Sequence, residues 1–185
     1  MKLKPFILWI IALVIIDQTL KIIINAYFLE SQFVIIKSLL EIKPVFSDLH
    51  SYPNALLNYY FGINVGLLPH LIIFAIGMFI MLSVYLTLKK IEQNRKLLDC
   101  AFILLFAAFC CALIGNLIWK KGTLDFIYTK PFPTVDMKDL YVNCFVFLFL
   151  IYVFKNYQLI KNIKFKNIIN IININLFKNH LKKEE

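Results

Sequence analysis

Four long apolar runs, at about residues 5–28, 67–88, 97–118 and 139–157, limit what this chain can fold into more than anything else in it. A helix needs about 20 apolar residues to cross the hydrocarbon of a bilayer. In lipid a spanning segment must satisfy its own backbone, which for single runs of this length means a helix. Composition supports the same solvent: 61% of the 185 residues are hydrophobic, with only five glycines and six prolines, and mean hydropathy is +0.75. A water-soluble domain of this size cannot hide so much apolar surface in one core, so the excess must face lipid. The first run is too long in its apolar stretch for a cleaved signal peptide, and no small-x-small site follows it. The expected fold is an all-α membrane protein with four transmembrane helices. The first outer loop, residues 29–66, carries Phe33-Val34-Ile35-Ile36 and Phe46 and is expected to form short strands and a surface helix, a small extracytoplasmic cap. Residues 1–158 would then be one membrane domain, and 159–185 a basic tail rich in Ile, Asn and Lys.

Orientation follows from the positive residues beside the spans. The N-terminus (Lys2, Lys4), the connection between the second and third runs (Lys89, Lys90, Arg95, Lys96) and the tail hold 13 of the 20 Lys and Arg residues. Four spans put both termini on one side, and the richer side is cytoplasmic, so the two long connections face outward. Topology and contact with anionic lipid account for the net charge of +9. A nucleic-acid partner would need a soluble basic face with aromatic platforms, and none is visible.

Cys100, Cys110, Cys111 and Cys144 fall inside the runs without zinc spacing and read as small buried hydrophobes. His50, His70 and His180 are scattered. No metal site is expected. The repeat Ile-Ile-Asn-Ile-Ile-Asn-Ile-Asn at 168–175 is compositional bias or an interfacial helix.

The informative residues are those that do not belong in lipid. Asp17 and Lys21 lie inside the first run, Asp17 about 16 Å along the helix from Phe6. Their i,i+4 spacing, acid first, favours an ion pair on one helix face. Such a pair either fixes helix packing or supports a polar site. Asn116 closes the third run, as a helix cap or as part of that site. Asp125 stands between Leu124 and Phe126, and Asp139 opens the fourth run, where it can cap the helix. Two carboxylates held close cannot both ionise cheaply; one keeps its proton, giving a general acid and a general base from one residue type. The alternative is two ordinary interface carboxylates.

In order along the chain, these pieces resemble the lipoprotein signal peptidases (signal peptidase II). That family's Asp-Gln-x-x-Lys is matched by Asp17-Gln18-Thr19-Leu20-Lys21. Its Gly-Asn-Leu-Ile, then Gly and Val-Asp-Phe-Ile, is matched by Gly115-Asn116-Leu117-Ile118, Gly122 and Leu124-Asp125-Phe126-Ile127. Its Phe-Pro-x-Phe-Asn-x-Ala-Asp is answered by Phe132-Pro133-Thr134-Val135-Asp136-Met137-Lys138-Asp139. The resemblance implies an intramembrane aspartic endopeptidase acting on diacylglyceryl-modified prolipoproteins, cutting before the lipidated Cys. It implies no cofactor or metal, a bacterial inner-membrane location, and a monomer whose partners are the substrate and membrane lipid. Its catalytic aspartates carry over to Asp125 and Asp139, with Asp17, Lys21 and Asn116 in support. Of the family's Asn-x-Gly-Ala-Ala-Phe block in the first outer loop only the start is present, as Asn64-Val65-Gly66, and Asn54 or Asn58 could equally fill that Asn's role. The chain departs from the family at Trp119-Lys120, where the family has Asp-Arg, and at Asp136 and Lys138, where it has Asn and Ala. Asp136 is thereby a candidate substitute acid. The rivals are a non-catalytic four-helix membrane protein, such as a small transporter or assembly subunit, and a degenerate relative that binds lipopeptides without cutting them.

A reporter fused after Lys155 should therefore report cytoplasmic, and one inserted in residues 47–53 external. Alkaline phosphatase and fluorescent-protein fusions measure both, and inverted labelling would overturn the orientation.

Overall fold

The computed structural model describes residues 3–37, 39–47, 52–91, 95–119, 122–129 and 134–161. The 168–175 repeat and most of the tail lie outside these described residues. Helices α1 (Leu3–Ile23), α2 (Tyr52–Phe61), α3 (Leu67–Ile91), α4 (Lys96–Ile118), α5 (Met137–Lys155) and α6 (Tyr157–Lys161) alternate with strands β1 (Phe33–Ile36), β2 (Leu40–Ser47) and β3 (Thr123–Thr129). Four of the described helices are long and apolar enough to cross a membrane: α1 with the π-helical turn Ile24–Phe28 that follows it, α3, α4 and α5. The chain is a multi-pass membrane protein.

α4 is the central helix. Most of its length is buried, whereas the other three expose most of theirs. Between helices in lipid there is little hydrophobic driving force, so association rests on close van der Waals packing and on small residues that permit it. α4 supplies those small residues in Ala101, Ala107, Ala108, Ala112 and Gly115, all buried. Its Phe102 is fully buried and meets Tyr85 of α3 at 5.0 Å and Phe145 of α5 at 5.5 Å between ring centroids. Phe6 of α1 stacks on Tyr85 at 5.3 Å. The large side chains on the outward faces, such as Leu8, Trp9, Ile73 and Phe147, are exposed, which suits a lipid solvent.

At the other end of the bundle lies the expected cap. β1, β2 and β3 form an antiparallel sheet in that order. The first loop contributes β1, β2 and α2, as expected. The second loop adds a strand, β3, that the sequence reading leaves as a loop; it pairs with β2 through Val45↔Asp125 and Phe46↔Leu124. Leu124 and Phe126 are buried on one face, with Ile24 at the end of α1 and, partly buried beside them, Phe46, Trp119 and Met137. The alternation of a strand sends Asp125 to the opposite face.

Two glycines make the approach of β3 possible. Gly122, at φ 92°, closes the turn after α4 in a conformation that L side chains rarely adopt, and its N–H donates to Trp119 O at 3.0 Å. Gly115 lies under β3: a Cβ there would stand 2.9 Å from Thr123 Cγ2. The sequence places the fourth helix at 139–157, but it spans Met137–Lys155 because Asp136, not Asp139, is its N-cap. At its far end Asn156 N–H donates to Tyr152 O.

Gly115→Ala should lower thermal stability in detergent, because overpacking costs about 1–3 kcal/mol while the gain in helix propensity is no more than about 1 kcal/mol. Adding Thr123→Ser, which deletes the opposing methyl, should restore much of the loss. Equal melting of Gly115→Ala and parent would refute the close approach.

Candidate active site

The site is built at the sheet end of the bundle by α1, β3 and the start of α5. Val135 connects the last two: Phe126 N–H and Ile127 N–H both donate to Val135 O, at 3.0 and 2.9 Å, and Val135 N–H donates back to Ile127 O at 2.9 Å. These three bonds hold Asp136 beside the strand that carries Asp125. Asp136 then starts α5 with a capping box. Its side chain accepts from Asp139 N–H at 3.4 Å, and Asp139 Oδ2 accepts from Asp136 N–H at 3.1 Å. The expectation that Asp139 caps the helix is corrected here. Asp139 is the third helical residue, reaching back to the cap.

Beneath the cap lies a buried ion cluster. Lys21 and Asp17, both fully buried, pair at 3.1 Å on α1. Lys21 also reaches Asp136 Oδ2 at 2.6 Å, and Asp136 is fully buried too. Lys138 Nζ lies 2.9 Å from Asp136 Oδ2, 3.3 Å from Asp139 Oδ2 and 3.4 Å from Asp125 Oδ1. Gln18 extends the cluster sideways: its amide nitrogen Nε2 donates to Asp17 Oδ2 at 2.7 Å, and its Oε1 accepts from Trp119 Nε1 at 3.2 Å. Trp119 thus docks the end of α4 on Gln18, at a position where the sequence motif has an acid. Four carboxylates face two ammonium groups, an excess of two negative charges when all are ionised.

Burial pushes the Asp125 carboxyl up to about 6, with Lys138 opposing the rise and Asp136 and Asp139 adding to it. A free Asp titrates near 3.9, so between about 4 and 6 Asp125 holds a proton that a free side chain would release. Burial also pushes Asp136 upward, but Lys138 and Lys21 outweigh it and keep that carboxyl below the usual range. Carboxylate oxygens of Asp125, Asp136 and Asp139 lie within 4.8 Å of one another, close enough for neighbouring carboxyls to share a proton.

Of the residues singled out in the sequence, Asp17, Lys21, Asp125 and Asp139 converge on this cluster. Asn116 donates to Ala112 O at 2.9 Å, a bond back into its own helix. Asn54, buried in α2, donates to Asn64 Oδ1 at 3.1 Å and to Val65 O at 3.2 Å, and accepts from Val65 N–H at 2.9 Å. These bonds tie α2 to the start of α3 and do not reach the aspartates. Asn58 lies in α2, partly exposed. Lys138, which in the sequence is only a departure from the family motif, and strand β3 belong to the site as well. A signal for the strand exists in Thr-Leu-Asp-Phe-Ile-Tyr-Thr, rich in β-branched and aromatic residues directly after Gly122. The open groove between α3 and α4, lined by Leu71, Phe74, Met78, Phe79, Leu113 and Leu117, is apolar and includes none of the aspartates.

The architecture defines a polytopic membrane protein with an acidic cluster at one mouth of its helix bundle. The family model described as signal peptidase (SPase) II matches residues 9–155. The chain belongs to the signal peptidase II family. It is similar to two solved structures of bacterial membrane enzymes determined by the in meso method. One, at 1.9 Å resolution, has TM-score 0.61 and 23% identity over 83% of this chain and 95% of that one. The other, at 2.3 Å, has TM-score 0.63 and 24% identity over 88% of this chain and 94% of that one. At this identity the likeness establishes the fold. No curated protein matches the chain.

Lys21→Met should be the most damaging single change in the buried cluster. It leaves buried Asp17 without a cation and Asp136 with Lys138 alone, and breaking such a pair costs about 3–5 kcal/mol. Asp17→Asn leaves Lys21 paired with Asp136 and should cost less. Melting temperatures of the purified variants in detergent check the ranking, and the reverse order would contradict it.

Proposed function

We propose that this protein is an intramembrane aspartic endopeptidase that removes the signal peptide from diacylglyceryl-modified prolipoproteins, cutting before the lipidated Cys. Asp125 and Asp139 are its catalytic pair. The observation that carries this reading is the meeting of those two carboxylates, from different elements, within 3.4 Å of one ammonium at the mouth of the bundle. Membership of the signal peptidase II family supports it further. Asp17, Lys21 and Asn116 support the site from the spans, and Asn54 shapes the loop beside it.

With one proton on the pair, the ionised carboxylate takes a proton from water, and the resulting hydroxide attacks the carbonyl carbon of the scissile peptide. The tetrahedral intermediate collapses as the protonated carboxyl gives its proton to the amide nitrogen, the C–N bond breaks, and the pair is again singly protonated. The substrate's lipid chains stay in the bilayer and its signal helix lies against the spans, while the sheet and α2 limit access of bulk water. In this reading the protein is a monomer in the bacterial inner membrane, with both termini cytoplasmic and the aspartates on the outer face. Residues 1–158 form the peptidase domain, and 159–185 a cytoplasmic tail. A second reading, a relative that holds lipopeptides without cutting them, is favoured by Lys138 lying on the pair and by Trp119 at a position where the family carries an acid.

The test is cleavage of a diacylated precursor by parent, Asp125→Asn, Asp139→Asn and the double variant, after equal insertion is established. Each single variant should lose several orders of magnitude in turnover, and the double should lose little more, since residues acting as one unit are non-additive. Binding of the precursor should survive. Binding without cleavage by the parent would establish the second reading, and full activity in all three variants would end the first.

A further inference from the structure

Lys138 stands where a cation is hard to explain by the helix alone. It is the second residue of α5, in the first turn, where the helix dipole disfavours positive charge. Its side chain is only 11% exposed. The ammonium is held there by three carboxylates, and two of them are the proposed catalytic pair: Nζ is 3.4 Å from Asp125 Oδ1 and 3.3 Å from Asp139 Oδ2. Asp136, the nearest of the three at 2.9 Å, pulls it toward the buried side, where Lys21 and Asp17 of α1 lie.

We propose that Lys138 is a positioning residue of the peptidase centre, whose ammonium between Asp125 and Asp139 fixes how many protons that pair holds, with Asp136 as its anchor. This rests on reading the two aspartates as the catalytic pair. The charged and titratable groups facing Lys138 come from every element packed around it. They are Asp125 from β3, Asp136 and Asp139 from the start of α5, and, behind Asp136, Lys21 and Asp17 from α1. Cys111 of α4 and Tyr141 of α5 lie around Asp17 at the far side of the cluster.

Two bare carboxylates in this place repel each other, and the pair would hold a proton above the usual carboxylate range. An ammonium between them stabilises the ionised forms, so each proton leaves at lower pH than it would without Lys138. Asp136 acts in the opposite sense twice over. Its negative charge disfavours ionisation of its neighbours, and its ion pair draws the ammonium away from the catalytic oxygens. Asp136 and Lys138 are therefore a compensating pair, one raising and one lowering the pH at which the singly protonated, active form exists.

The experiment is an infrared titration of the protonated-carboxyl band, on protein in phospholipid nanodiscs, with Asp125→Asn and Asp139→Asn used to assign the pair. The pH profile of diacylated-precursor cleavage is measured on the same samples. Lys138→Met should move the pair's midpoints up by about 1–3 pH units, the effect of one opposite charge at this range. Asp136→Asn should move them down, the Asp136→Asn/Lys138→Met double should fall between the two, and Lys138→Arg should stay near the parent. The cleavage profile should move with the midpoints. Unmoved midpoints in Lys138→Met would overturn the proposal even if cleavage is lost, because loss without a titration shift marks a purely structural role. Should Lys138→Met fail to insert, Lys138→Gln and Asp136→Asn decide the same question with opposite signs. Midpoints that move as expected in a parent that cuts no precursor would uphold the charge coupling of Lys138 to the pair but defeat the peptidase reading, and with it the place of Lys138 in a peptidase centre.

Discussion

The whole outer end of the molecule depends on Lys21, an ammonium buried inside a membrane-spanning helix and held between Asp17 on its own helix and Asp136 on the start of another. An unpaired cation in such surroundings costs several kcal/mol; Asp17 pairs it within α1, and Asp136 adds a second carboxylate from the start of α5. Once Asp136 caps α5, the geometry of the first helical turn dictates where Lys138 and Asp139 stand. The backbone bonds of Val135 to Phe126 and Ile127 then bring the β3 strand, with Asp125, alongside. One buried charge thus registers α1, α5 and the sheet against each other. Tyr141 O–H, donating to Leu13 O at 3.1 Å, adds a second tie between the same two helices.

The rest of the bundle is organised by a different force. α4 is enclosed by its neighbours, and its small residues and Phe102 let them approach, while the outward faces of α1, α3 and α5 remain large and apolar. Lipid takes the place that a thicker protein shell would fill in water. The polar work is consequently confined to one end, where the cluster sits under the three-stranded sheet. Tyr85, bonded to the buried Asp99 at 2.7 Å and approached by Lys89 at 3.1 Å, is a smaller polar knot toward the other end of α3.

Much of this could be read from the sequence because lipid imposes blunt rules. Run length gave the four helices, and the cost of intramembrane charge pointed to Asp17 and Lys21. The convergence of Asp125 and Asp139 came from a motif resemblance, since spacing alone does not bring two residues together. What the sequence concealed was three-dimensional in origin. The β3 strand forms because β2 offers it an edge and Gly115 leaves it room, and neither fact is local to residues 123–129. Asp136 is the cap instead of Asp139 through the reciprocal bonds of a capping box, and Lys21 reaches it from more than a hundred positions away in the chain. Asn54 and Asn116, which the sequence offers as polar groups beside apolar runs, bond in the structure to Asn64 and Val65 and to Ala112 O.

The same cluster explains how a chain can depart from its family's motif at positions 136 and 138 and keep the architecture. Asn and Ala there are neutral. An Asp alone at 136 would add a buried negative charge to a cluster already rich in carboxylates. A Lys alone at 138 would place an unanchored cation on the two aspartates and against the helix dipole. Together they form an ion pair of 2.9 Å whose charges cancel, and Lys21 gains a second carboxylate at 2.6 Å. The excess of negative charge around the aspartates is unchanged by the pair, so the fold tolerates it, while the field between Asp125 and Asp139 is not the same as with neutral residues. Asp136 and Lys138 together leave the net charge of the cluster unchanged, and what they alter is the set of charges facing Asp125 and Asp139.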